Sequence, residues 1–139
     1  MTEWWQIFLF AALVWTGSCT QANIQQSAEK NERMPKVSYE LTALYDEYSS
    51  YTASHRPGAF QPSSQLVRVI DDRVVIDAVA AGEAEVLKSD LESLGMRRAV
   101  AFGRIVSGEL PISAIPAMGA LTSLNFARAA SPLLQESPR

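Results

Sequence analysis

The sequence is poor in the residues from which most reactive sites are built. Its 139 residues hold one cysteine and one histidine. One cysteine excludes a disulfide framework within the chain and any multi-cysteine zinc site. One histidine leaves few ways to build a base that is itself oriented by a second group. Basic charge is not in excess either: 12 Lys+Arg stand against 15 Asp+Glu, a net charge of −3. The chain therefore lacks the electrostatic footprint of a nucleic-acid binder, and no nucleic-acid partner is expected. What it does have is apolar content. At 47% hydrophobic and 19% charged it is no disordered polyelectrolyte, and some part must bury a core. The length allows one domain with a tail or linker beside it.

Long apolar runs are absent with one exception: Trp4 to Trp15 reads WWQIFLFAALVW. The run falls short of the roughly 20 residues that span a bilayer. Its length and N-terminal position fit the apolar core of a secretory signal over residues 1–18. The preceding residues depart from that pattern, carrying Glu3 and neither Lys nor Arg. Thr16-Gly17-Ser18-Cys19 resembles the lipobox of bacterial lipoproteins, with Thr16 where Leu is usual. That resemblance implies lipidation of Cys19 as the new N-terminus, which would hold the protein on a membrane. Thr20-Gln21-Ala22 offers an ordinary signal peptidase a second cleavage site, and Cys19 would then leave with the signal. The expectation is export, to the periplasm, to the outer membrane as a lipoprotein, or to the medium.

Residues 19–36 are polar and without periodicity, and read as a flexible tether. Residues 37–64 read as an amphipathic helix and a loop. Val37, Leu41, Leu44, Tyr45, Tyr48 and Tyr51 fall three and four apart, with Ser38 at the start and Glu40 and Thr42 on the opposite face. Such a tyrosine-rich stripe is more commonly a packing face than a ligand-stacking one. His55 falls in the loop, beside Arg56 and Pro57, as solvated surface. Residues 65–130 carry the stronger pattern. LVRVI and RVVIDAVA flank Asp71-Asp72 as a hairpin. Asp71, Asp72 and Asp77 do not amount to a calcium cage, because Asp77 lies in a strand and further oxygen ligands are missing. Gly82 to Gly95 reads as a helix with Ala84, Leu87, Leu91 and Leu94 inward and Val86 widening the stripe. Gly95 is its terminator. Ala99 to Ile112 is strand-like, interrupted by Gly103 and Gly108. Ser113 to Leu121 is a short helix with Ser113 as cap and Pro116 in its first turn. Leu124 to Ala130 is a last strand, followed by a disordered tail over 131–139. The order β-α-β-β-α-β predicts an α+β fold, a ferredoxin-like split β-α-β layer with an extra N-terminal helix and hairpin strand.

The stretch from RVVIDAVA through FGRIVSGELPI to SLNFARAA resembles the propeptide domain of subtilisin-type serine proteases, as found ahead of secreted bacterial subtilases. The resemblance extends back through ELTALYDEY and QLVRVIDDR, over residues 40–130. Val-Ser-Gly followed by Leu-Pro-Ile is its most specific piece. Domains of that family are not enzymes. Their sheet packs on the protease and their C-terminal segment lies substrate-like in its cleft, assisting folding and inhibiting. By position, the resemblance makes Asn125, Phe126, Ala127, Arg128, Ala129 and Ala130 the partner-binding segment, offering unpaired backbone to a partner edge. No catalytic domain follows within these residues, so the implied action is on a protease in trans. The alternative expectation is an envelope lipoprotein serving as a protein-interaction module with no protease partner. No catalytic residue, metal site or cofactor is expected: Ser107 lacks a Gly-x-Ser-x-Gly setting, and the acid pairs Asp71/Asp72 and Glu83/Glu85 sit at a turn and a helix start.

Overall fold

Two successive residues in the left-handed region start the sheet. In the computed structural model, which describes residues 34–130 apart from Arg56, Asp71 has φ 49° and Asp72 φ 58°. Both values suit a two-residue hairpin turn of the mirror-image kind. The turn joins β1 (Val69–Ile70) to β2 (Arg73–Ala80), with Val69 opposite Val74 and Ile70 opposite Arg73. β1 is shorter than the LVRVI run predicts. The reason lies across β2: from Ile76 onward the same edge is taken by β5 (Leu124–Ala129). Val75 is where the edge changes hands. Its N–H donates to Arg68 O at 3.1 Å and its carbonyl accepts from Ala130 N at 2.9 Å.

β3 (Arg97–Phe102) and β4 (Ile105–Pro111) form the second hairpin, turning at Gly103-Arg104. β4 lies antiparallel between β2 and β3, so the sheet runs β1-β2-β4-β3, with β5 beside β1 on the same edge of β2. Every named strand pair is antiparallel. Three α-helices are present among the described residues: α1 (Tyr39–Ala53), α2 (Ala84–Ser93) and α3 (Ile115–Gly119), the last entered through a 3-10 turn at Ile112–Ala114. The fold is α+β.

Alternation decides which face of the sheet is covered. Along β2, Val74, Ile76, Ala78 and Ala80 are buried and the residues between them are not. Val106 and Leu110 of β4, and Leu124 and Ala127 of β5, join the same face. Against it pack Leu87 and Leu91 of α2, Leu41 and Leu44 of α1, and Ile112, Ile115 and Met118 from the β4–β5 crossover, all in one core. The N-terminal helix is thus part of the same core as residues 65–130.

Helix ends and glycines follow from local geometry. α2 ends with Gly95 at φ 92°; Met96 N–H donates to Leu91 O and Gly95 N–H to Glu92 O, closing the helix with both bonds of a Schellman motif. Gly108 faces a bulge in β3, where Arg98 has φ 53° and the register shifts between Arg97 and Val100. A Cβ on Gly108 would stand 2.8 Å from Arg97 O.

Several expectations need correction. Thr42, placed on the solvent face of its helix, is buried and its hydroxyl donates to Ser38 O at 3.2 Å. Ser38 precedes α1 without a side-chain cap bond. Ser113 does not cap either, because Pro111 and Ala114 occupy the positions before the 3-10 turn and α3. Val86 is 54% exposed rather than inward. The tether boundary at residue 36 falls too late. Lys36 O accepts from Ala127 N–H and Ser38 N–H donates to Ala127 O, both at 2.8 Å, and Lys36 Nζ reaches Leu121 O. Residues 1–33, with Cys19 and the signal, and residues 131–139 lie outside the described residues.

Candidate docking surface

The face of the sheet away from the helices is uncovered, and its residues line up in cross-strand rows. Val79 of β2 stands opposite Phe126 of β5 on one side and opposite Ile105 of β4 on the other; Ile105 in turn stands opposite Phe102 of β3. This puts Phe126, Val79, Ile105 and Phe102 in one apolar row across four strands, a span of about 14 Å at the usual interstrand spacing. Exposure is greatest at its β3 end. Phe126 and Ile105 are 39% and 38% exposed, Phe102 is 85% exposed, and its neighbour Val100 on the same face is 63% exposed. Scattered single apolar residues on a surface need no explanation, whereas a contiguous patch does.

The next row is polar. Asp77 stands opposite Arg128 and Ser107, and Ser107 stands opposite Val100. Ser107 Oγ donates to Asp77 Oδ1 at 2.6 Å, while Arg128 approaches Asp77 Oδ2 at 3.8 Å. Beyond it, Glu109 accepts from Arg98 at 3.2 Å. The two carboxylates on this face are half-buried and each has its arginine; the arginines themselves are exposed.

The sequence-expected partner segment is divided by this arrangement. Phe126 and Arg128 lie on the uncovered face, whereas Ala127 is buried among the core residues. The segment is also no free end. β5 pairs with β2, both backbone groups of Ala127 bond to Lys36 and Ser38, and Ala130 N–H bonds to Val75. The picture of an unpaired strand offered to a partner therefore fails at Ala127, because the N-terminal residues have taken that edge. Asn125 is exposed and lies at the bulge where the β2–β5 register shifts; Ala129 and Ala130 are half-buried.

Sequence reading missed Val79, Val100, Ile105 and Phe102. The signal was present in AVAF and RVVIDAVA, where apolar residues occupy both faces of a strand instead of alternate positions.

Other clusters carry less chemistry. Tyr48 and Tyr51 close on Phe60 with ring centroids 5.2 Å and 5.4 Å apart, and Tyr51 Oη donates to Gly58 O. Phe60 is itself buried, so the aromatic group is filled by its own member. Burial raises the Tyr48 hydroxyl above its ordinary pKa, helped by the charge of Asp72 and by Tyr51. An open depression at the start of α2 is lined by Glu83, Asp90 and Ser123, with Ser123 Oγ donating to Asp90 Oδ2. His55 is exposed and its ring contacts Ala53 O. Among the described residues no three His, Cys, Asp or Glu side chains gather as a metal site, and no helix is long and apolar enough to cross a membrane.

No family model, curated protein or solved structure matches the chain.

Proposed function

We propose that this is an exported, non-enzymatic protein that binds a protein partner through the open face of its sheet. The observation that carries the reading is the row Phe126–Val79–Ile105–Phe102, which sets a phenylalanine 85% exposed in line with three further apolar side chains on one face of the sheet. A contiguous apolar patch beside half-buried carboxylates that each hold one arginine suits a protein interface, which combines apolar area with polar groups that a partner can complete.

The domain is read as a ferredoxin-like, split β-α-β layer. Support comes from the order β5-β2-β4-β3, with α2 between β2 and β3 and α3 between β4 and β5. Together with the propeptide resemblance, this makes a secreted subtilisin-type protease, bound or inhibited in trans, the first partner to try. Phe126 and Arg128 are the two residues of the C-terminal strand that belong to the docking face; residues 131–139 follow directly from it. The test is hydrolysis of a peptide substrate by subtilisin-type proteases with the full chain added at micromolar concentration. Slower hydrolysis and a co-migrating complex are expected. Unchanged hydrolysis with no complex would remove the protease as partner.

The lone cysteine, placed just after the apolar N-terminal run, favours a second reading of the same surface: an envelope lipoprotein whose domain serves an assembly. Labelled fatty acid incorporated into the wild type and not into Cys19→Ala supports the anchor; a wild type without label excludes it.

A further inference from the structure

We infer that the partner seated on the open sheet face presents an acidic protein surface, an apolar ridge flanked by carboxylates. The inference rests on reading that face as a docking surface and adds the charge of what it takes.

The argument begins with how charge is divided between the layers. The chain as a whole is acidic, yet its acids are concentrated on the helices. α1 carries Glu40, Asp46 and Glu47 and has no Lys or Arg; α2 carries Glu85, Asp90 and Glu92 against Lys88 alone. Apart from Asp71 and Asp72, exposed in the β1–β2 turn, the sheet reverses this. Arg97, Arg98, Arg104 and Arg128 are all exposed on β3, the β3–β4 turn and β5. Their nearest acids, Asp77 and Glu109, are fewer and half-buried. Arg104 uses its guanidinium on the carbonyls of Ala80 and Ala81, at 2.7 Å and 3.3 Å, which leaves its charge uncompensated. Arg128 stands in the row beside the apolar one, opposite Asp77, and Arg97 one row further, opposite Glu109, with Arg98 next to it in the bulge. Complementary potential steers a partner and rejects wrong ones, and here it selects negative charge.

The same facts decide between occupants. A second copy laid face to face would set these arginines against one another, and like charges brought together across an interface are unfavourable. An anionic lipid surface would meet the arginines, but it would also press the Asp77 and Glu109 carboxylates toward the bilayer without donors for their remaining lone pairs. A protein surface can supply those donors. It can also supply carboxylates spaced for Arg97, Arg98 and Arg128, all exposed on this face.

The test uses methyl spectra of the full chain and two helical peptides with the same leucine stripe, flanked in one by glutamates and in the other by lysines. The acidic peptide is expected to shift the methyl signals of Val79, Val100 and Ile105 and to bind about tenfold more tightly than the basic one, as a few exposed ion pairs allow. Added salt, or the paired change Arg97→Glu with Arg98→Glu, should erase the difference. The salt arm gives the same reading without altering the fold. Equal binding of both peptides at these methyls would overturn the acidic assignment and leave the docking face standing. Shifts with neither peptide would overturn both. Shifts with phosphatidylglycerol vesicles in place of the acidic peptide would overturn it in favour of lipid.

Discussion

Gly108 shows how a single absent methyl group can determine a hairpin. It sits mid-strand in β4 opposite the bulge of β3, where an added Cβ would meet Arg97 O at 2.8 Å and Met96 Cε at 2.9 Å. The methionine tip can move; the carbonyl is held in the sheet. Gly108→Ala is therefore expected to lower stability by about 1–3 kcal/mol, the usual cost of overpacking, read as a lower urea midpoint at unchanged slope. The Asp71-Asp72 turn carries the opposite opportunity. Asp72 at φ 58° stands where glycine is preferred, and its carbonyl, which accepts from Ile112 N–H at 3.0 Å, survives any side-chain change. Asp72→Gly should raise stability by roughly 0.5–1 kcal/mol by removing left-handed strain. Calorimetry at neutral pH would show it as a higher Tm. Tyr48 belongs to the same corner. Its hydroxyl is raised above the ordinary 10.0 by burial first and by Asp72 second, so the folded chain keeps a proton that the unfolded chain releases. Stability from this group is complete below about pH 10 and falls as pH rises through the folded value. In Tyr48→Phe the alkaline loss measured by urea midpoints should be shallower than in wild type; an identical alkaline limb would refute this assignment.

At the scale of elements, the outer edge of β2 explains most differences between expectation and structure. Two strands compete for it, and β5 takes the longer part because Leu124 and Ala127 bring buried side chains with them. β1 is left with a two-residue pairing. Nothing in LVRVI announces that limit, because it depends on a segment more than fifty residues away in the chain. α2 was legible for the converse reason: its stripe and its first-turn acid Glu85 lie within the element and its glycine terminator two residues beyond it. The second hairpin was legible from Gly103, and the bulge only from what Gly108 faces. Helix α1 was readable as a helix with a packing face, but not which elements that face meets. Leu41 is fully buried, and α1 packs on β5, α3 and the 3-10 turn. Leu41→Ala should therefore destabilise the domain by about 2–5 kcal/mol in one cooperative transition followed equally by α1 and sheet probes. A separate early melting of α1, with the sheet unchanged, would show it to be an appendage.

For the whole molecule, the two layers are used differently. The helix side carries acids and closes the core. The sheet side carries arginines and exposed apolar residues that the core does not need. Composition could not show this division, since a net charge of −3 averages two faces of unlike sign. The docking residues were obscured for a related reason: in AVAF apolar residues occupy both faces of the strand, and only the placement of β3 at the sheet's end shows which face Val100 and Phe102 leave open. The division makes stability and binding separable. Phe102 is so exposed that Phe102→Ser should change the unfolding free energy by no more than about 0.5 kcal/mol. An aromatic that a partner covers, by contrast, commonly carries a large part of the affinity. The same substitution should therefore abolish complex formation with any partner that uses this face, while the urea midpoint stays within error of wild type. Ile76→Ala, on the covered side of β2 and fully buried, should do the reverse. It would lower the midpoint strongly and leave affinity unchanged at temperatures where the domain remains folded. If Phe102→Ser bound as well as wild type, the open face would not be the docking surface, whatever partner is found.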